Sequence, residues 1–99
     1  MDVTNKVALI TGAASGIGEG IATTLSKNGA HAIIADINLS NAENVSTKLT
    51  SLGLKSSPIT LDVTDIESVN QCVTYVLKEF KHIDILINNA GTVGSPGWE

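Results

Sequence analysis

The stretch Thr11-Gly12-Ala13-Ala14-Ser15-Gly16-Ile17-Gly18 places three glycines at Gly-x3-Gly-x-Gly spacing directly after a short β-branched run. A turn of this kind at the start of a helix presents unpaired first-turn N–H groups and the positive end of the helix dipole, and the two together attract phosphate. Gly12 suits the tight turn, Gly16 the close approach of phosphates to the backbone, and Gly18 a helix lying against the sheet. The spacing departs from the Gly-x-Gly-x-x-Gly of the ordinary dinucleotide fingerprint. No Gly-Lys-Ser/Thr is present, and Lys27 lies far along the following helix, so nucleoside-triphosphate hydrolysis is disfavoured. A glycine cluster alone is weak evidence, since it is also compatible with a purely structural turn. Asp36 shifts that balance, because it ends the next apolar run eighteen positions beyond Gly18, near the distance at which an acidic residue reaches adenosine ribose hydroxyls. The residues after it, Ile37 and Asn38, are neutral. A 2′-phosphate there would meet repulsion with no Arg or Lys to offset it, which favours NAD over NADP.

Other side chains with chemical potential carry less. Cys72, with Val69, Val73 and Val76 around it, reads as a plain buried or half-buried thiol. It is the single cysteine, so no intrachain disulfide is available and Cys-rich metal clusters are excluded. His31 precedes an apolar strand, and His82 falls at a helix C-terminus, where a favourable dipole interaction explains it. No grouping of ligands has metal-binding spacing. Asn38-Leu39-Ser40 and Asn44-Val45-Ser46 match the glycosylation pattern by chance, since the polar stretch Met1–Lys6 runs straight into a strand and leaves no room for an export signal.

The elements that must position the turn and Asp36 follow from periodicity. Lys6–Thr11, Ala32–Ala35, Pro58–Asp62 and Ile83–Ile87 are short continuous apolar or β-branched runs, the pattern of strands covered on both faces. Between them, residues 17 to 27 carry Ile17, Ile21, Ala22 and Leu25 on one helical stripe, closed by Asn28-Gly29. Ser40 and Glu43 have capping-box spacing ahead of Ala42, Val45, Leu49 and Leu52, up to Gly53. Thr64 and Glu67 repeat it, with Ile66, Val69, Val73, Val76, Leu77 and Phe80 as the apolar positions. Three strand–helix units and a fourth strand predict an α/β Rossmann-like, doubly wound parallel sheet with helices on both faces and strand order 3-2-1-4. Residues 1–99 then form the N-terminal part of one nucleotide-binding domain. The tail Gly91–Glu99 is loop-like, with Trp98 suited either to a pocket wall or to a core cover.

Composition is consistent with this. The chain has 99 residues, 42% hydrophobic and 16% charged, which is not the profile of a disordered segment. Its net charge of −4, with no arginine, disfavours nucleic-acid binding. No apolar run approaches the roughly 20 residues that span a bilayer, so the expectation is a soluble protein of a reducing, cytoplasmic compartment.

With the motifs in place, the chain resembles the short-chain dehydrogenase/reductase family along nearly its whole length. Thr11–Gly18 resembles that family's Thr-Gly-x3-Gly-x-Gly, and Asp36 its ribose-binding acidic position in NAD-using members. Asp62-Val63 is similar to the pair after the third strand that holds the adenine ring, although Asp62 ahead of Thr64 also reads as a turn or cap residue. Asn88-Asn89-Ala90-Gly91 is similar to the motif that stabilises the central sheet and lines the cofactor cleft, although both asparagines also suit backbone groups at a strand end. The resemblance implies cofactor contacts from Thr11, Gly12, Ser15, Gly16, Ile17, Gly18, Asp36, Ile37, Asp62, Val63, Asn89, Ala90 and Gly91. It implies hydride transfer to or from a secondary alcohol or carbonyl substrate, in a homo-oligomeric parent. The family's further Asn, Ser and Tyr-x3-Lys have no counterpart here: Tyr75, the single tyrosine, is followed four positions on by Glu79. The 99 residues are therefore expected to bind cofactor and not to catalyse, whether as the front of a longer enzyme, as a non-catalytic nucleotide-binding module, or as an interaction protein that keeps only the fold.

Overall fold

A computed structural model describes residues 1–89. The elements alternate as β1 (Val7–Thr11), α1 (Gly16–Lys27), β2 (His31–Asp36), α2 (Leu39–Ser51), β3 (Ser56–Thr60), α3 (Ile66–Phe80) and β4 (Ile85–Asn88). All three strand pairings are parallel and the order is β3-β2-β1-β4. The doubly wound arrangement read from the apolar runs is therefore the one formed.

Because strand side chains alternate between faces, β1 and β2 each feed two cores. Ala8, Ile10, Ala32 and Ile34 pack with Ala22 and Leu25 of α1 and with Ala42, Val45 and Leu49 of α2. Val7, Leu9, Ile33 and Ala35 face the other way, onto Cys72 and Val76 of α3. Every residue of β1 is buried, which explains why its sequence lacks polar alternation. α1 ends with Gly29 at φ 104°, its N–H donating to the Ser26 carbonyl while Ala30 N–H reaches back to Leu25. This is the Schellman closure expected at Asn28-Gly29.

Several boundaries differ from the sequence reading, most of all at β3 and β4. β3 begins at Ser56, not Pro58, and ends at Thr60. Ser56 and Ser57 look loop-like in isolation, but here Ser56 Oγ donates to the Ala32 carbonyl at 3.0 Å and Ser57 Oγ pairs with His31 Nε2 at 2.9 Å. Pro58 is tolerated inside the strand because β3 is an edge of the sheet. β4 starts at Ile85; Ile83 lies ahead of the ladder, packed toward the α3 core.

Neither expected capping box forms. α2 is capped by Asn38, whose side chain accepts from Asn41 N–H at 3.1 Å, which puts Ser40 inside the first turn. α3 is capped by Asp65, accepting from Glu67 N–H at 3.0 Å, while the Thr64 hydroxyl is taken up by Asp62. In both cases a side-chain amide or carboxylate oxygen next to the box accepts the first-turn N–H in place of the hydroxyl.

Candidate functional site

The parallel arrangement brings the C-terminal ends of all four strands to one edge of the sheet, and every candidate residue within 1–89 lies there. The turn Gly12–Ser15 leaves β1, Asp36 ends β2, Asp62 and Val63 follow β3, and Asn89 follows β4. Ala90 and Gly91 lie outside the described residues.

The turn is fastened on both sides. Toward β4, the buried Thr11 hydroxyl is 3.1 Å from Asn88 Oδ1 and 3.4 Å from the Ile87 carbonyl, and it accepts Asn89 N–H at 2.9 Å. Asn89 Nδ2 in turn donates to the Gly12 carbonyl at 3.2 Å. Toward β2, Ala13 N–H donates to the Ala35 carbonyl at 3.2 Å, and Ala14 N–H donates to Asp36 Oδ2 at the same distance. The other oxygen of Asp36 accepts Asn38 N–H at 3.0 Å.

Gly12 turns the chain at φ 62°. Gly18 is held where a Cβ would stand 2.8 Å from Asn89 Nδ2 and 2.9 Å from Ala13 Cα, so only a glycine lets the helix approach the turn this closely. A Cβ on Gly16 would meet nothing within 4 Å. The backbone there opens into free space at the head of α1.

The three helix N-termini are not equivalent. Asn38 and Asp65 cap α2 and α3 with their side chains, but Ser15, extended at φ −154° and ψ 155°, makes no side-chain cap to α1. First-turn N–H groups left in this state bind an anion well. Ser15, Gly16 and Ile17 are exposed around that opening, and Ile37 is exposed just beyond Asp36. The site thus offers uncapped amides, space above Gly16 and a half-buried carboxylate at the next strand end. This combination fits a ligand carrying both phosphate and vicinal hydroxyls.

Asp62 Oδ1 accepts from Thr64 N–H at 3.0 Å and from Thr64 Oγ at 2.6 Å, and the hydroxyl contact, first, and the amide contact, second, lower its pKa. The turn role left open by the sequence is therefore real, and it engages one of the two carboxylate oxygens. Val63 lines a groove of about 270 Å³ on the α3 side of the sheet, shared with Leu9, Leu61, Cys72 and Leu86 and reaching Thr11 and Asn88 at the site's floor. Burial raises the Cys72 pKa, which keeps it a thiol. Tyr75 lies on an exposed flank of α3.

Sequence reasoning missed Ala13, Ala14 and Asn38 as parts of the site. They act through backbone N–H groups, which every non-proline residue carries, so residue type gives no signal for them. Among the described residues, no helix is long and apolar enough to cross a membrane, and no three His, Cys, Asp or Glu side chains gather as a metal site requires.

Comparison with known proteins agrees with this geometry. The family model described as short chain dehydrogenase matches residues 6–98. The galactitol 2-dehydrogenase of Agrobacterium fabrum is 47% identical over 90 residues, covering 91% of this chain and 34% of that protein. The 3-oxoacyl-[acyl-carrier-protein] reductase of Thermotoga maritima is 38% identical over 91 residues, covering 92% and 37%. A crystal structure of a hydroxysteroid dehydrogenase from Escherichia coli superposes with a TM-score of 0.88 at 33% identity, over 91% of this chain and 38% of that one. The chain thus spans about a third of the length of the relatives it matches. With the model covering nearly all of it and the glycine turn, Asp36 and Asn88-Asn89 assembled at one sheet edge, this chain belongs to the short-chain dehydrogenase family.

Proposed function

We propose that residues 1–99 are the dinucleotide-binding front of a single domain in an NAD-dependent oxidoreductase, which interconverts a secondary alcohol and a carbonyl. The observation that carries this reading is the uncapped N-terminus of α1 beside the Asp36 carboxylate, where α2 and α3 are both capped by side chains. In this scheme the amides around Ser15, Gly16 and Ile17 hold the pyrophosphate, with Thr11, Gly12 and Gly18 fixing the backbone that presents them. Asp36 accepts from the adenosine ribose hydroxyls, with Ile37 beside it. Asp62 and Val63 receive the adenine, and Asn89, Ala90 and Gly91 form the cleft wall. The bound nicotinamide supplies or accepts the hydride.

The substrate class is supported by what the relatives share. A galactitol dehydrogenase, a sorbitol dehydrogenase and a 7alpha-hydroxysteroid dehydrogenase all act at a carbon bearing a hydroxyl. We place the parent, as a homo-oligomer, in a reducing cytoplasmic compartment, in keeping with the buried free thiol of Cys72, the one cysteine of these 99 residues.

NAD is preferred over NADP because a 2′-phosphate would lie against the Asp36 carboxylate, and neither Ile37 nor Asn38 offers a cation. Calorimetric titration with both nucleotides tests this. NAD is expected to bind more tightly, and Asp36→Ala to weaken NAD while narrowing the difference. Equal or tighter binding of NADP by the unaltered protein would overturn the preference.

A further inference from the structure

We propose that Asp36 is also the positioning residue of the glycine-rich turn, holding it in its binding geometry before any nucleotide arrives; this rests on reading the turn as the phosphate site. Between Gly12 at φ 62° and Gly16 at φ 53° lie three residues, Ala13, Ala14 and Ser15, flanked by two left-handed backbone positions. Such a segment swings on its ends unless something fastens its middle. Ala13 is fastened by the sheet itself, through its N–H to the Ala35 carbonyl. Ala14 has no strand carbonyl to continue that ladder, and its N–H goes to Asp36 Oδ2.

The same carboxylate holds Asn38 N–H with Oδ1, and Asn38 is the cap of α2. Asp36 thus ties the turn before α1 to the first turn of α2, on a residue that is itself half-buried at the end of β2. Each carboxylate oxygen accepts about two hydrogen bonds. With one amide on each, a lone pair per oxygen remains for a ribose hydroxyl, so holding the turn and recognising the ribose do not compete. A site held in place beforehand binds more tightly because less order is lost on binding. Loss of Asp36 should therefore remove a ribose acceptor and also loosen the amides meant for phosphate.

The test is residue-resolved amide exchange by NMR on the ligand-free full chain, comparing the unaltered protein with Asp36→Ala and Asp36→Asn. Hydrogen bonds to a charged acceptor are strong enough that losing one should speed Ala14 exchange in Asp36→Ala by at least about tenfold beyond any change at the Leu9 and Ile33 strand amides, which report global opening. Asp36→Asn retains a single carbonyl acceptor, so it should restore protection at Ala14 or at Asn38 but not at both. Unchanged Ala14 exchange in Asp36→Ala, or full protection of both amides in Asp36→Asn, would overturn the proposal. Both readouts are taken without nucleotide, so a failure of the cofactor reading would show separately, as absent NAD binding by the unaltered protein.

Discussion

His31 shows how far a single residue's meaning depends on what the fold sets beside it. Its ring stands edge-on to Phe80, with centroids 4.6 Å apart, and its Nε2 pairs with Ser57 Oγ. Burial first, and the charge of Lys55 second, lower its pKa from the ordinary 6.5. The folded state therefore takes up a proton less readily than the unfolded chain. By linkage, the stability His31 contributes is complete above pH 6.5 and is lost as pH falls below that value toward the lowered folded pKa. Urea unfolding across this range should show stability declining on acidification, and His31→Asn should flatten that part of the curve. Equal slopes in the two proteins would assign the effect elsewhere. Asp84, lowered chiefly by its hydrogen bond from Val7 N–H, and Asp62, lowered chiefly by the Thr64 hydroxyl, lose their contributions only as pH falls below 3.8, so they do not confuse the result.

At the scale of elements, the caps decide where helices begin and which of them is left open to a ligand. Asn38 and Asp65 each supply an acceptor to a first-turn N–H, and removing such a cap typically costs about 1 kcal/mol. Asn38→Ala and Asp65→Ala should each lower the free energy of unfolding by about that amount, whereas Ser40→Ala, inside the first turn of α2, should change it by no more than about 0.5 kcal/mol. Chemical denaturation of the three variants measures this, and a larger loss in Ser40→Ala than in Asn38→Ala would restore the capping box expected from spacing. Ser15 is the informative contrast, since it makes no cap and its helix meets the site.

At the scale of the whole molecule, the two cores are unequally covered. The α1 and α2 side is closed over β1 and β2, but β4 is only half-buried and its Leu86 is 63% exposed beside the groove under α3. Among the described residues, β4 is a sheet edge, and Ile85–Asn88 contains neither lysine nor proline to discourage pairing. The 99-residue chain by itself should therefore be marginally folded and self-associate through this edge. Size-exclusion chromatography with light scattering should show mass rising with concentration, and Leu86→Lys should shift the population toward monomer. A cooperative monomer at high concentration, with slow exchange throughout residues 83 to 88, would count against it.

The amino-acid sequence by itself determined the class of fold, because short, β-branched apolar runs such as Val7–Thr11 suit strands covered on both faces, and the stripes at helical spacing between them supply that cover. It also located the glycine turn and Asp36, whose residue types are unusual enough to carry information alone. Strand ends and the fastening of the turn were decided by tertiary structure, whereas the helix starts turned on local competition: Asn38 and Asp65 supply the caps, and Asp62 takes the Thr64 hydroxyl two positions on. Ser56 and Ser57 became strand because β2 offered a carbonyl and an imidazole to their hydroxyls. The link between Ala14 and Asp36 was invisible for a more general reason. Its donor is a backbone N–H, the same in nearly every residue, and only packing β1 beside β2 brings it to a carboxylate twenty-two positions away.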